Sequence, residues 1–319
     1  MRVRSRVVLG AGIVTAAVMA LAGWRRRVRD SFEGRHAGRF SLSDDGIVHG
    51  AEPIMLRGSP THAVLLLHGF NDTPQSLSAL ASRLHARGWT VYAPLLPGHG
   101  RSLPAMADGR AAAWRAHARG SYDGLREQYE TVVVCGQSMG AALAVELASE
   151  VPDIPALVLL APFIGVPTAL SLKFTATWLL QSLAPYSTST GGERSIHDPE
   201  ARALALGAGV VTARLLHELR AVAKSAQSAL PRVTMPVLYL QSREDNRIRA
   251  IDAERNFRLL GSRERVQRWL TGCGHIISAD YCREEVARQT NEWLVRWAGS
   301  PMPAMSDAPG AQPTVTGES

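Results

Sequence analysis

From Ala63 to Trp297, short continuous apolar runs alternate with longer stretches whose apolar residues recur every three or four positions. Runs of the first kind read as strands buried on both faces, and stretches of the second kind as helices that cover them. The predicted strands are Ala63–Leu67, Thr90–Ala93, Thr131–Cys135, Leu157–Leu160, Val237–Leu240 and Val266–Leu270. The first predicted helix is Thr73–Arg87, with Leu77, Leu80, Ala81 and Leu84 on one face and Gly88 as its stop. Others are Trp114–Tyr129, Met139–Ser149, a segment near Ile251–Leu260, and Arg283–Trp297. This alternation predicts an α/β fold with a mostly parallel central sheet flanked by helices.

Two stretches break the pattern. Residues 163–230 are too long for an ordinary connection between neighbouring strands. They hold Leu172, Trp178, Leu179, Leu180 and Leu183, then Val210 to Lys224 at helical spacing. That predicts a helical cap inserted over the carboxyl edge of the sheet, where open α/β sheets bind ligands. At the other extreme, residues 299–319 are rich in Pro, Ala and Ser without periodicity, which predicts a disordered tail. The core domain is therefore expected over 47–298, behind a polar linker at 31–46 and an N-terminal segment at 1–30.

Charge changes the picture of that N-terminal segment. The chain has 319 residues and a formal net charge of +7, which taken alone invites a nucleic-acid partner. Residues 1–40 carry nine arginines against Asp30 and Glu33, which accounts for the whole excess. The remaining residues balance and provide no net field for a phosphate backbone, so no nucleic-acid partner is expected. The arginines bracket Val7–Trp24, a run with no charged residue. At about 1.5 Å per residue a helix there is roughly 27 Å long, close to a hydrocarbon core of ~30 Å. An uncleaved single-pass membrane anchor through residues 7–24 is therefore expected, its orientation open. Export after cleavage near Ala22, at the small-residue site Ala20-Leu21-Ala22, is the alternative. Three cysteines cannot build a disulfide framework. Cys135 reads as a core residue, and Cys273 and Cys282 as free thiols.

The chemistry-bearing motif is Gly136-Gln137-Ser138-Met139-Gly140, placed between a predicted strand and a predicted helix. In that setting G-x-S-x-G reads as a nucleophile elbow, with Gly136 and Gly140 allowing the tight turn that exposes Ser138. A serine nucleophile needs a base, and the base needs a carboxylate to orient it. Asp245 follows the strand Val237–Leu240 and His275 follows Val266–Leu270, giving the order Ser, Asp, His with each residue just after a strand. Glu244 is the competing carboxylate. Two backbone N–H groups should stabilise the developing oxyanion, that of Met139 and one from the turn His68-Gly69-Phe70-Asn71, assigned to Phe70. His68 is expected to brace this turn. Pro97-Gly98-His99-Gly100 reads as a structural turn near the pocket, with a substrate role for His99 as the alternative.

Residues 62–298 resemble the α/β-hydrolase superfamily, in its serine-aminopeptidase-like branch of monoacylglycerol lipases, lysophospholipases and small bacterial carboxylesterases. The motifs that carry the resemblance are LLLHGF with NDTPQSL, APLLPGHG, GQSMG, SREDNRI and GCGH. Ser-Arg-Glu-Asp departs from the pattern in which glycine often precedes the acid. The resemblance implies a serine ester hydrolase acting on a small-molecule ester or lipid, with no metal or organic cofactor. A peptidase or amidase on the same residues is the alternative, with Glu193 and Asp198 offered to bind a substrate amino group. A non-catalytic lipid-binding protein is the reading from another class.

Overall fold

The computed structural model describes residues 2–165, 185–189 and 192–301, with side chains described from Thr15 onward and, in the last segment, from Arg194. The helices are α1 (Arg2–Arg39), α2 (Ser78–His85), α3 (Leu103–Ala107), α4 (Ala111–Arg126), α5 (Met139–Glu150), α6 (Gly192–Ser195), α7 (Pro199–Ala203), α8 (Ala213–Ala229), α9 (Ala250–Leu259) and α10 (Arg283–Ala298). The strands are β1 (Ile54–Leu56), β2 (His62–Leu67), β3 (Thr90–Ala93), β4 (Thr131–Gln137), β5 (Leu157–Leu160), β6 (Ser187–Thr188), β7 (Val210–Val211), β8 (Val237–Ser242) and β9 (Arg265–Leu270). Seven strands form one sheet in the order β1-β3-β2-β4-β5-β8-β9. All its pairings are parallel except that of the short edge strand β1 with β3.

Side chains alternate across a strand, so each apolar run supplies both faces of the sheet. Leu65, Leu67, Val132, Val134, Leu157, Leu159, Val237 and Tyr239 face one core, with Trp114 and Tyr122 of α4, Leu143 of α5 and Val222 of α8. Val64, Leu66, Val133, Cys135, Val158, Leu160, Leu238 and Leu240 face the other, against Leu80 and Leu84 of α2 and Val286 and Leu294 of α10. Burial on both sides explains why these strands lack polar alternation. Cys135 sits in this second core as a free, buried thiol.

The predicted elements recur within a few residues, with differences that have local causes. The helix predicted from Thr73 begins as a 3-10 turn, Pro74–Leu77, before α2. The strand β1, Ile54-Met55-Leu56, has only three residues, none fully buried, and is too short for its apolar run to read as a strand. In the predicted cap region, Leu172, Trp178, Leu179, Leu180 and Leu183 lie outside the described residues. Its later helix, α8, packs in the same core as α4 and α5. Residues 302–319 of the predicted tail also lie outside the described residues.

The membrane expectation is overturned. Among the described residues no helix is long and apolar enough to cross a membrane. From Thr15 onward α1 carries Arg25, Arg26, Arg27, Arg29 and Asp30 close behind Trp24, so its described side chains form no continuous apolar span. Beyond the arginines the helix continues unbroken to Arg39 and docks on the body, so 31–39 are helical where a linker was expected. His36 Nε2 donates to the Arg101 carbonyl at 3.0 Å, and Arg39 donates to the Ala205 carbonyl at 3.0 Å. Phe40 then packs with Ile47, Val48, Ala51 and Leu95 in a small third core. The cleavage alternative near Ala22 falls within this same continuous helix. Partnership with a membrane through residues 7–24 is withdrawn with the anchor.

Candidate active site

The tight turn at the end of β4 is enforced by sterics on both sides of Ser138. A Cβ added to Gly136 would lie 2.3 Å from the Gly140 carbonyl oxygen, and one on Gly140 would lie 2.0 Å from that of Leu67. Neither position accepts any side chain. Between them Ser138 takes φ 55° and ψ −114°, a left-handed conformation costly for a residue with a Cβ and held by its surroundings. Its N–H donates to Leu160 O at 2.9 Å, and its carbonyl accepts from Phe163 N–H at 3.1 Å. Ser138 thereby stands at the amino end of α5, at the positive pole of that helix.

The two loops after β8 and β9 bring their side chains to the same point. His275 Nε2 lies 2.8 Å from Ser138 Oγ, and His275 Nδ1 lies 2.8 Å from Asp245 Oδ2. A carboxylate partner places the ring proton on Nδ1, which leaves the Nε2 lone pair facing the serine hydroxyl. Asp245 accepts further hydrogen bonds from Gln241 Nε2 at 2.7 Å on Oδ2, and from the N–H groups of Arg247 and Ile248 at 2.7 and 2.9 Å on Oδ1. Burial alone would raise its pKa. The facing His275 and the backbone donors outweigh burial and hold it below the usual carboxylate range. The competing carboxylate points elsewhere: Glu244 Oε1 accepts from Gly272 N–H at 2.9 Å, and Oε2 lies 3.7 Å from His197 Nδ1.

The turn after β2 lies against the elbow. A Cβ on Gly69 would lie 3.3 Å from that of Ser138, tighter than an ordinary contact, so glycine eases the close approach of the chain here. The next residue is Phe70, and Met139 follows the serine as the first residue of α5. His68 is fully buried, with Nε2 accepting from Leu96 N–H at 3.0 Å and Nδ1 donating to Gly69 O at 2.9 Å. Burial holds its pKa well below the ordinary histidine value, so it braces the turn as a neutral ring. His99, in van der Waals reach of it with ring centroids 5.1 Å apart, is likewise buried and pushed down to about 4.

Two glutamines at strand ends went unread in the sequence. Gln137 Oε1 accepts from Ser278 Oγ at 2.6 Å, which ties the elbow to the histidine loop, and Gln241 supports Asp245. Their one signal is a polar residue, fully buried, closing an apolar strand. The free-thiol expectation for Cys273 and Cys282 is corrected: they form a disulfide. The chain reversal between β9 and α10 brings their α-carbons within 5.8 Å, a proximity that linear spacing does not reveal. Asp198 is engaged by Arg283 at 2.8 Å while it caps α7, and the side chain of Glu193 lies outside the described residues. Among the described residues no group of three His, Cys, Asp or Glu side chains is placed to hold a metal ion.

The model of the family described as serine aminopeptidase, S33, matches residues 58–281, a span that includes the elbow and both loops. The chain belongs to this family. Among the relatives of this S33 protein is a thermostable monoacylglycerol lipase from Bacillus sp. (strain H-257), 30% identical over 253 residues, covering 79% of this chain and 98% of the relative. A carboxylesterase from Bacillus subtilis (strain 168) is 24% identical and covers 76% and 96% respectively. A solved structure from the metagenome-derived lipolytic enzymes LipS and LipT is 26% identical, covers 78% of this chain and 99% of its own, and superposes with a TM-score of 0.71. Ester hydrolysis by an α/β-hydrolase is the activity these relatives support.

Proposed function

We propose that the protein hydrolyses carboxylic esters, lipophilic acyl esters above all, through a covalent acyl-enzyme on Ser138. The observation that carries this reading is the unbroken chain of two 2.8 Å contacts from Ser138 Oγ through His275 to Asp245. His275 Nε2 takes the hydroxyl proton as Ser138 Oγ attacks the ester carbonyl. The backbone N–H groups of Phe70 and Met139 receive the oxyanion of the tetrahedral intermediate, a contribution on the order of 2.7–4 kcal/mol per donor in comparable sites. His275 then protonates the leaving alcohol, and water enters by the same route to release the acid. Asp245 keeps the imidazole in the required tautomer and stabilises its charged form. The lipophilic preference draws support from the monoacylglycerol lipase among the relatives.

A fluorophosphonate probe should label Ser138 in the folded protein, and Ser138→Ala should abolish both labelling and turnover of p-nitrophenyl esters. Absence of an adduct on Ser138 would sink the proposal and favour a non-catalytic binding protein. Comparison of p-nitrophenyl esters of several chain lengths with aminoacyl anilides separates esterase from peptidase. The peptidase reading needs a free carboxylate for the substrate amine, and Asp198 is already paired with Arg283.

A further inference from the structure

A second carboxylate organises this site from behind. Asp280 is completely buried, and its two oxygens accept four backbone N–H groups. Oδ2 accepts from Gly274 at 2.7 Å and from His197 at 2.8 Å. Oδ1 accepts from Asp198 at 2.9 Å and from Tyr281 at 2.8 Å. One of these donors immediately precedes His275, and two belong to the arm 195–198 of the inserted segment. The N–H that follows His275 is held by the same arm, since Ile276 donates to Ser195 O at 2.9 Å. The arm lies flat on this loop, because a Cβ on Gly274 would sit 2.5 Å from Arg194 O. Ser195 Oγ also donates to Asn246 Oδ1 at 3.1 Å, one residue beyond Asp245. The arm thus touches both the loop of the base and the loop of its carboxylate.

We propose that Asp280 is a positioning residue for His275, fastening the chain on its amino side at Gly274 and the arm 195–198 to a single buried acceptor, so that the base and this arm are held as one unit. Charge-assisted hydrogen bonds to a carboxylate are roughly twice as strong as neutral ones, and Asp280, in the same loop as His275, accepts four of them. A ring aligned between Ser138 and Asp245 requires its backbone fixed, because small misplacements of a catalytic group lower the rate without changing what binds. The inference rests on the proposed role of His275 as the base.

Asp280→Asn keeps nearly the same volume but replaces one acceptor oxygen by an NH2 that faces two N–H donors. We expect kcat on a short p-nitrophenyl ester to fall about 10- to 100-fold, the range typical of lost outer-sphere support. KM should stay within about threefold. Rates are counted per fluorophosphonate-titrated site, so a loss of folded protein does not register. The labelling rate of Ser138 should fall in parallel with kcat. A native kcat per site in a folded Asp280→Asn protein would overturn the proposal. Should that variant fail to fold, amide hydrogen exchange on the native protein decides. Gly274, His197 and Asp198 should show protection within about tenfold of one another, since ten-fold corresponds to only ~1.4 kcal/mol between local openings. Independent opening of the two segments would overturn it. Failure of native Ser138 to label would instead remove the serine-hydrolase reading on which the inference stands.

Discussion

Asp245→Asn changes one atom of the site and leaves its volume intact. In the native arrangement Oδ1 serves two backbone N–H groups and Oδ2 serves His275 Nδ1 and Gln241 Nε2. An amide offers one oxygen and one NH2. With its oxygen kept on the backbone donors, the NH2 faces His275. The imidazole then keeps a hydrogen bond only by moving its proton to Nε2, and Ser138 loses its acceptor. In a serine-protease triad the same substitution lowers kcat about 10⁴-fold, which at 1.36 kcal/mol per tenfold amounts to about 5.4 kcal/mol of barrier. The assay is the initial rate on p-nitrophenyl butyrate, normalised to folded protein by near-UV circular dichroism. Glu244→Gln is the matched control, since Gln retains an acceptor for Gly272 N–H and its rate should stay within about fivefold of native. A rate for Asp245→Asn within tenfold of native, or an equal loss in Glu244→Gln, would refute the assignment of the orienting carboxylate.

Gly140→Ala should destabilise by about 3 kcal/mol or more in urea unfolding, because its Cβ would meet backbone carbonyls at 2.0 and 2.5 Å. Gly120→Ala, on the exposed side of α4 with open space around it, should instead stabilise by up to about 1 kcal/mol. Two buried groups oppose each other on acidification from pH 6.5 toward pH 4: Asp72, raised to about 6 by burial, gains stability for the folded state, whereas His99 loses it. Burial depresses the folded-state pKa of His99 to about 4, so the unfolded chain takes up the proton first, and the difference is worth about 3 kcal/mol. His99→Gln should remove the His99 part, so that in a pH series of urea midpoints the variant gains stability relative to the native protein as pH falls from 6.5 toward 4. Removing the Cys273–Cys282 disulfide by double replacement with Ser should lower unfolding free energy by about 2–3 kcal/mol, the chain-entropy value for a loop with this separation of 9. An unchanged midpoint would show that the loop is fixed without it.

Fold class, strand positions and the order Ser138, Asp245, His275 were legible in the chain because they depend on local facts. A strand buried on both faces must be apolar throughout, and an elbow must have glycine where a Cβ meets a carbonyl. Both requirements write themselves into neighbouring residues. Much of what the sequence left open depends on contacts between segments far apart in the chain. Asp245 and Glu244 are adjacent and chemically alike, and only the packing of β8 beside β9 turns one toward His275 and the other toward Gly272. The disulfide and the Gln241–Asp245 bond close within a single loop, whereas the tie from Ser278 to Gln137 and the donors that His197 and Asp198 give Asp280 arise where segments far apart in the chain meet. The same holds for the N-terminal segment. Composition suggested a span from charge-free length alone, whereas the tertiary structure places its later turns, through His36 and Phe40, against the body. Hydrophobic periodicity reports which face of an element is buried. It carries no record of what buries that face, because the partner is chosen by chain folding over distances that local pattern does not encode.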